Sequence, residues 1–90
     1  MNDNARLNEL LIRDPEDEKE YELTKPGFEL MLALIDARHE ANITQKELAE
    51  RSGVRQSNIS RIEVGACSPT VATLQRLAMA MGKTLHIEIR

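Results

Sequence analysis

The stretch Ile43–Gly65, ITQKELAERSGVRQSNISRIEVG, decides how the rest of the chain is read. It predicts two short helices joined by a tight turn. Thr44 followed three residues later by Glu47 is a T-x-x-E capping box, in which each residue satisfies a backbone N–H that the helix start leaves open. The first helix runs through Leu48 and Ala49 and stops near Ser52-Gly53, because Gly53 can adopt the left-handed conformation that ends a helix. The second starts near Arg55-Gln56 and ends before Gly65. Its apolar residues are few. Leu48, Val54, Ile59 and Ile62 form the expected buried seam.

The other side of the second helix carries Arg55, Gln56, Ser57, Asn58, Ser60 and Arg61. A merely solvated helix favours Glu and Lys. Here Gln and Asn have the donor–acceptor pairs that match adenine, and Arg has the fork that matches guanine. A helix N-terminus also favours a nearby phosphate. The competing interpretation is a polar surface helix in an unrelated helical domain, since paired short helices recur widely.

The run TQKELAERSGVRQSNISRIEVG resembles the DNA-binding core of the phage-repressor-like (Cro/C1, or XRE) helix-turn-helix family. The resemblance rests on Thr44-Gln45, Leu48-Ala49, Gly53-Val54, Gln56-Ser57, Ile59-Ser60 and Ile62-Glu63 before Gly65. It continues through Pro69, Thr73-Leu74, Leu77-Ala78 and Gly82, covering roughly residues 30–82. It implies that Gln56, Ser57 and Arg61 reach bases, and that Arg55 and Asn58 reach bases or adjacent phosphates. Thr44 and Gln45 would hold phosphate at the start of the first of these helices, and Thr70 and Thr73 from the following one. It further implies that Arg38 pairs with Glu63 and stands near a phosphate; the alternative for Arg38 is a solvent-exposed side chain. Arg55 occupies the place of a Ser or Thr cap, so the recognition helix is expected to start poorly capped.

The chain has 90 residues and a net charge of −3, which at first sight disfavours DNA. The charge is segregated. Residues 1–29 carry nine acids and four bases, a balance of −5, whereas residues 30–90 carry six acids and eight bases, a balance of +2. A mildly basic domain holds phosphates when its cations share a face. The modest excess favours a dimer on a two-part site, and a core this small also favours a partner subunit. One cysteine, Cys67, excludes an internal disulfide. There is no long apolar run and no signal peptide, so a cytoplasmic protein without membrane contact is expected. No phosphate loop, His–carboxylate pair or Cys–His nucleophile is present, and neither His39 nor His86 has a second ligand at metal spacing. The expectation is therefore no catalytic residues, no metal and no cofactor.

Outside the central stretch, Leu7, Leu10 and Leu11 have helical spacing. Asp14-Pro15 is a helix-start signal, followed by Glu16, Asp17 and Glu18 at the positive end of the dipole. The acidic run 15–24 is either a solvated helix or a surface for a basic partner. Lys25-Pro26-Gly27 is expected to break the chain, with a helix resuming at Pro26 or Gly27 and running to Glu40. Its stripe of Phe28, Met31, Leu32, Leu34 and Ile35 is wider than one packing face requires. Thr70 caps a further helix through Val71, Leu74, Leu77, Ala78 and Met81, stopped by Gly82. Residues 84–90, TLHIEIR, alternate apolar and polar, which is a strand signal. With no second strand in view, this strand is expected to pair with its copy in a second chain or with the N-terminal segment, Leu85, Ile87 and Ile89 closing over the helices.

The expected fold is mainly α: a helix-turn-helix bundle of four to five helices with a C-terminal β-strand paired across a dimer. Three regions follow: an acidic N-terminal partner-binding segment 1–25, a DNA-binding domain 26–82 and a dimerisation strand 83–90. Two functions compete. One is a stand-alone dimeric repressor that sets two recognition helices about 34 Å apart on a palindromic double-stranded operator. The other rests on a second resemblance, to HigA-like antitoxins of type II toxin–antitoxin pairs. It is carried by the segment Asp14–Glu22, the helix from Phe28, the helix-turn-helix and the closing GKTLHIEIR. It implies neutralisation of a small basic RelE/HigB-type ribonuclease as well as repression of the shared operon. Leu7, Leu10, Leu11, Glu16, Asp17, Glu20 and Tyr21 would then form the toxin-binding surface.

Overall fold

The computed structural model describes residues 22–90 and contains four helices within them: α1 (Lys25–Glu40), α2 (Gln45–Ser52), α3 (Gln56–Glu63) and α4 (Val71–Ala80). The expected helix over residues 1–14 and the acidic helix from Pro15 lie outside the described residues. Helices α2 and α3 pack against each other across the turn, α4 covers α2, and α1 covers α3.

The core is the expected seam, extended from both sides. Leu48, Val54, Ile59 and Ile62 are all buried, joined by Leu34 from α1, Ile43 from the loop before α2 and Leu77 from α4. Leu48, Ile59 and Leu77 are fully enclosed. Burying an aliphatic side chain of this size contributes about 1.5–3 kcal/mol. The capping box at α2 is complete: Thr44 Oγ1 accepts from the Glu47 N–H at 3.0 Å, and Glu47 Oε1 accepts from the Thr44 N–H at 3.0 Å. Gly53 ends α2 with φ 77°, and its N–H donates to the Ala49 carbonyl. Thr70 caps α4 through the Thr73 N–H at 3.1 Å. Arg55 precedes α3 with no side-chain cap, as expected.

Two expectations are corrected. Helix α1 starts at Lys25, one residue ahead of the expected Pro26 or Gly27, so the Lys25-Pro26-Gly27 triplet falls inside the helix rather than before it. The triplet forms the first turn of α1, capped by Thr24, whose Oγ1 accepts from the Gly27 N–H at 3.1 Å. Proline lacks a donor, and in the first turn that donor has no intrahelical acceptor to lose. Just ahead of α1, Leu23 approaches the bundle closely at Gly65. A Cβ at Gly65 would stand 3.0 Å from Leu23 Cδ2 and 3.3 Å from Met31 Sδ.

The second correction concerns the C-terminus. Residues 83–90 form no strand, and none of the described residues offers them one. Alternation creates the propensity, but a strand exists only where its N–H and C=O groups find a neighbouring strand. Leu85 is half-buried against the helices, whereas Ile87 and Ile89 are 57% and 95% exposed and do not close over the core. An open groove of about 360 Å³ lies between α4 and this tail, lined by Val71, Gln75, Met79, Leu85 and Ile87. Helix α1 likewise buries only Leu34 and leaves Phe28 and Leu32 exposed.

Candidate nucleic-acid interface

Helix geometry separates the two faces of α3. At 3.6 residues per turn, Ile59, Ile62 and Glu63 share one side, and Ser57 and Arg61, four apart, share the opposite one. The structure follows this division. Ile59, Ile62 and Glu63 are buried; Arg55, Gln56 and Ser57 are exposed at the N-terminal end of α3; Asn58, Ser60 and Arg61 are half-buried. Asn58 and Arg61 are joined: an Arg61 terminal nitrogen donates to Asn58 Oδ1 at 2.5 Å.

The expected Arg38–Glu63 pair is present, and it organises more than two helices. Arg38 Nε donates to Glu63 Oε2 at 2.7 Å and a terminal Arg38 nitrogen donates to Oε1 at 2.9 Å, a bidentate fork. The other terminal nitrogen donates to the Ile43 carbonyl at 3.0 Å. Gln45 Nε2 also donates to Glu63 Oε1, at 3.0 Å. One carboxylate therefore ties the end of α3 to α1 and to the start of α2. The Arg38 and Glu63 side chains are 13% and 6% exposed. Burial pushes the Glu63 carboxyl up, but the hydrogen bonds from Arg38 and Gln45, with the charges of Arg38 and His39, outweigh it and hold it below the usual carboxylate range. The same bond to Glu63 holds the Arg38 guanidinium above its ordinary value. The Thr44 backbone N–H keeps the Glu47 carboxyl low.

The remaining site residues fall as follows. Thr44 is exposed at the start of α2, while Gln45 beside it is half-buried and turned toward Glu63. Thr70 and Thr73 are half-buried, with their hydroxyls 3.0 Å apart. Leu7, Leu10, Leu11, Glu16, Asp17, Glu20 and Tyr21 lie outside the described residues. The sequence did not reveal Arg76: a Cβ on Gly53 would stand 2.8 Å from one of its terminal nitrogens, so α4 lays a cation against the turn. Nor did it reveal the Gln45–Glu63 bond, whose partners are 18 residues apart. The Asn58–Arg61 bond had a signal in the i, i+3 spacing. Among the described residues no cluster of His, Cys, Asp and Glu is arranged to hold a metal. No helix among them is long and apolar enough to cross a membrane.

A capped helix, a left-handed glycine turn and a second helix with a polar outer face, seated on a buried apolar seam, define a helix-turn-helix protein. The helix-turn-helix family model matches residues 34–87, and the chain belongs to that family. It is 45% identical over 58 residues to an HTH-type transcriptional regulator of Haemophilus influenzae, covering 64% of this chain and 59% of the relative. It is 34% identical over 81 residues to the antitoxin HigA1 of Mycobacterium tuberculosis, covering 90% of this chain and 54% of the relative. The chain thus spans little more than half the length of these two relatives. Among solved structures, a chain of a toxin–antitoxin module from Streptococcus pneumoniae matches with a TM-score of 0.58 and 32% identity, over 100% of this chain and 97% of that one. These relatives are named as regulators and antitoxins, none as an enzyme.

Proposed function

We propose that this chain is a DNA-binding antitoxin of the cytosol that neutralises a small basic ribonuclease of the RelE/HigB type and represses its own operon. The observation that carries the antitoxin reading is the whole-length likeness to a chain of a toxin–antitoxin module. A shared helix-turn-helix alone would leave the N-terminal third unmatched. The segregated charge supports the same reading, since residues 1–29 carry −5 against +2 for residues 30–90 and complement a basic surface. In this account residues 1–25 hold the toxin, 26–82 hold DNA, and 83–90 contribute to the contact between two copies.

On DNA, Gln56, Ser57 and Arg61 read bases from α3, flanked by Arg55 and Asn58. Arg38, Thr44 and Gln45, with Thr70 and Thr73, hold phosphates on either side. Dimerisation through Leu85, Ile87 and Ile89 places two such helices on a palindrome. The exposure of Ile87 and Ile89 supports this pairing, because a lone chain leaves them in water. A stand-alone repressor is the second reading, favoured by the Haemophilus relative, which matches over the DNA-binding part and is named a transcriptional regulator.

The test is co-expression of the full chain with the small basic protein encoded beside its gene. Rescue of growth, lost on deleting residues 1–25 while operator binding persists, is the expected outcome. Operator binding without rescue supports the stand-alone repressor. For the DNA side, Gln56→Ala changes sequence preference and Gln45→Ala weakens binding on every sequence. Wild-type behaviour from both variants refutes the docking.

A further inference from the structure

Helix α1 carries more apolar surface than the bundle uses. Leu34 and Arg38 hold it in place, one in the core and one on Glu63. Phe28 and Leu32, four apart and so on one side of the helix, stand well round from Leu34. They are 46% and 41% exposed, and Leu23, just ahead of the helix, is 41% exposed. The three are contiguous. A Cβ on Gly65 would meet both Leu23 and Met31, so Leu23 lies beside Met31, and Met31 is one turn from Phe28 on the same helix. Glu29 and Asp36, seven apart, run beside Leu32 on the outward side, and both are exposed. Lys25 is the one exposed Lys or Arg of α1. An apolar centre with a charged rim is the layout of a protein-binding surface. This one lies by Gly65, just past the end of α3, whereas Gln56 and Ser57 stand at the start of that helix, about 10 Å away along its axis. The helix-turn-helix family model begins at residue 34, so Leu23, Phe28 and Leu32 precede the part of the chain that it matches.

We propose that this face of α1 is a second part of the contact with the small basic partner: an apolar spot on that protein, edged by Lys or Arg, seats on Leu23, Phe28 and Leu32 while its cations meet Glu29 and Asp36. The inference rests on the antitoxin reading above and extends the partner surface beyond residues 1–25. Charge decides the occupant. DNA would set its phosphates against carboxylates. A second copy would meet the patch with the same patch across a two-fold axis, acids against acids. Residues 1–21 of the chain itself carry seven acids and three bases, a balance of −4, and are repelled in the same way. A basic protein complements the rim and covers the centre.

The experiment measures binding kinetics between the full chain and the small basic protein encoded beside its gene, by surface plasmon resonance at low and at high salt. The variants are Phe28→Ser/Leu32→Ser and Glu29→Lys/Asp36→Lys, each checked by thermal melting. Phe28→Ser/Leu32→Ser weakens binding by about 10- to 100-fold, chiefly through faster dissociation, as loss of an apolar anchor does. Its operator binding stays as in wild type, which a general loss of fold does not allow. Glu29→Lys/Asp36→Lys alters exposed side chains only; it slows association by about 10-fold at low salt, and the difference shrinks as salt is added. Tight wild-type binding that Glu29→Lys/Asp36→Lys leaves unchanged at both salts overturns the inference and leaves residues 1–25 as the whole contact. A smaller oligomer of free Phe28→Ser/Leu32→Ser in sedimentation, with partner binding intact, assigns the face to a second copy and overturns it as well. If the wild-type chain binds no such protein, the antitoxin reading itself fails and the inference falls with it, a result distinct from the other two.

Discussion

Arg38→Met should destabilise the chain by about 3–5 kcal/mol at pH 7, the cost of stranding one member of a buried ion pair. The magnitude follows from the bonds lost. Arg38 donates twice to Glu63 and once to the Ile43 carbonyl, and afterwards the Glu63 carboxylate, in a residue only 8% exposed, keeps Gln45 alone. Met retains most of the aliphatic packing, so the loss is electrostatic. Equilibrium urea unfolding followed by circular dichroism, at fixed protein concentration, reads it out. For a slope near 1 kcal/mol per molar urea the midpoint falls by about 3 M or more. The pH dependence reverses sign. In the wild type the Glu63 carboxyl is held below its unfolded value, so its contribution is present above about pH 4.3 and is lost as pH falls through the folded value. Without Arg38, burial dominates and raises that carboxyl, so the variant gains stability as the pH is lowered and the gap to wild type narrows. Removing the stranded charge in Arg38→Met/Glu63→Gln should recover about 2 kcal/mol. A single variant within about 1 kcal/mol of wild type, or a double variant no more stable than the single, refutes the view that Glu63 is a buried junction held by Arg38.

Three further outcomes are expected. Thr44→Ala removes the oxygen that caps α2 and should lower stability by about 1 kcal/mol in thermal unfolding, with weaker binding on all DNA sequences. Arg55→Ser supplies the side-chain cap that α3 lacks and should raise stability by about 0.5–1 kcal/mol while weakening DNA binding, the two effects separating in melting and gel-shift assays. Gly53→Ala forces a Cβ onto a residue at φ 77° and against Arg76; the backbone conformation alone should cost about 1–2 kcal/mol, read as a lowered melting temperature.

Much of the fold was legible because the signals are local. A capping box spans four residues, a left-handed glycine one, and the seam of Leu48, Val54, Ile59 and Ile62 follows from helix periodicity; each survives unchanged in the structure. The pairing of Arg38 with Glu63 came from family resemblance, since a separation of 25 residues has no signal in the chain itself. Helix α1 was legible to within one residue of its start: Pro26-Gly27 reads as a breaker, and the cap that draws Lys25 into the helix is Thr24.

What the sequence alone determined is the order of the four described helices and the polar face of α3, because both depend on contacts within a few residues. Only the tertiary structure decided that one carboxylate, Glu63, gathers Arg38 and Gln45, that Arg76 lies beside the Gly53 turn, and that residues 83–90 find no strand to pair with among the described residues. Those features depend on which distant elements meet. The alternation of Leu85, Ile87 and Ile89 states a propensity, and a propensity becomes a strand only when a second backbone stands beside it.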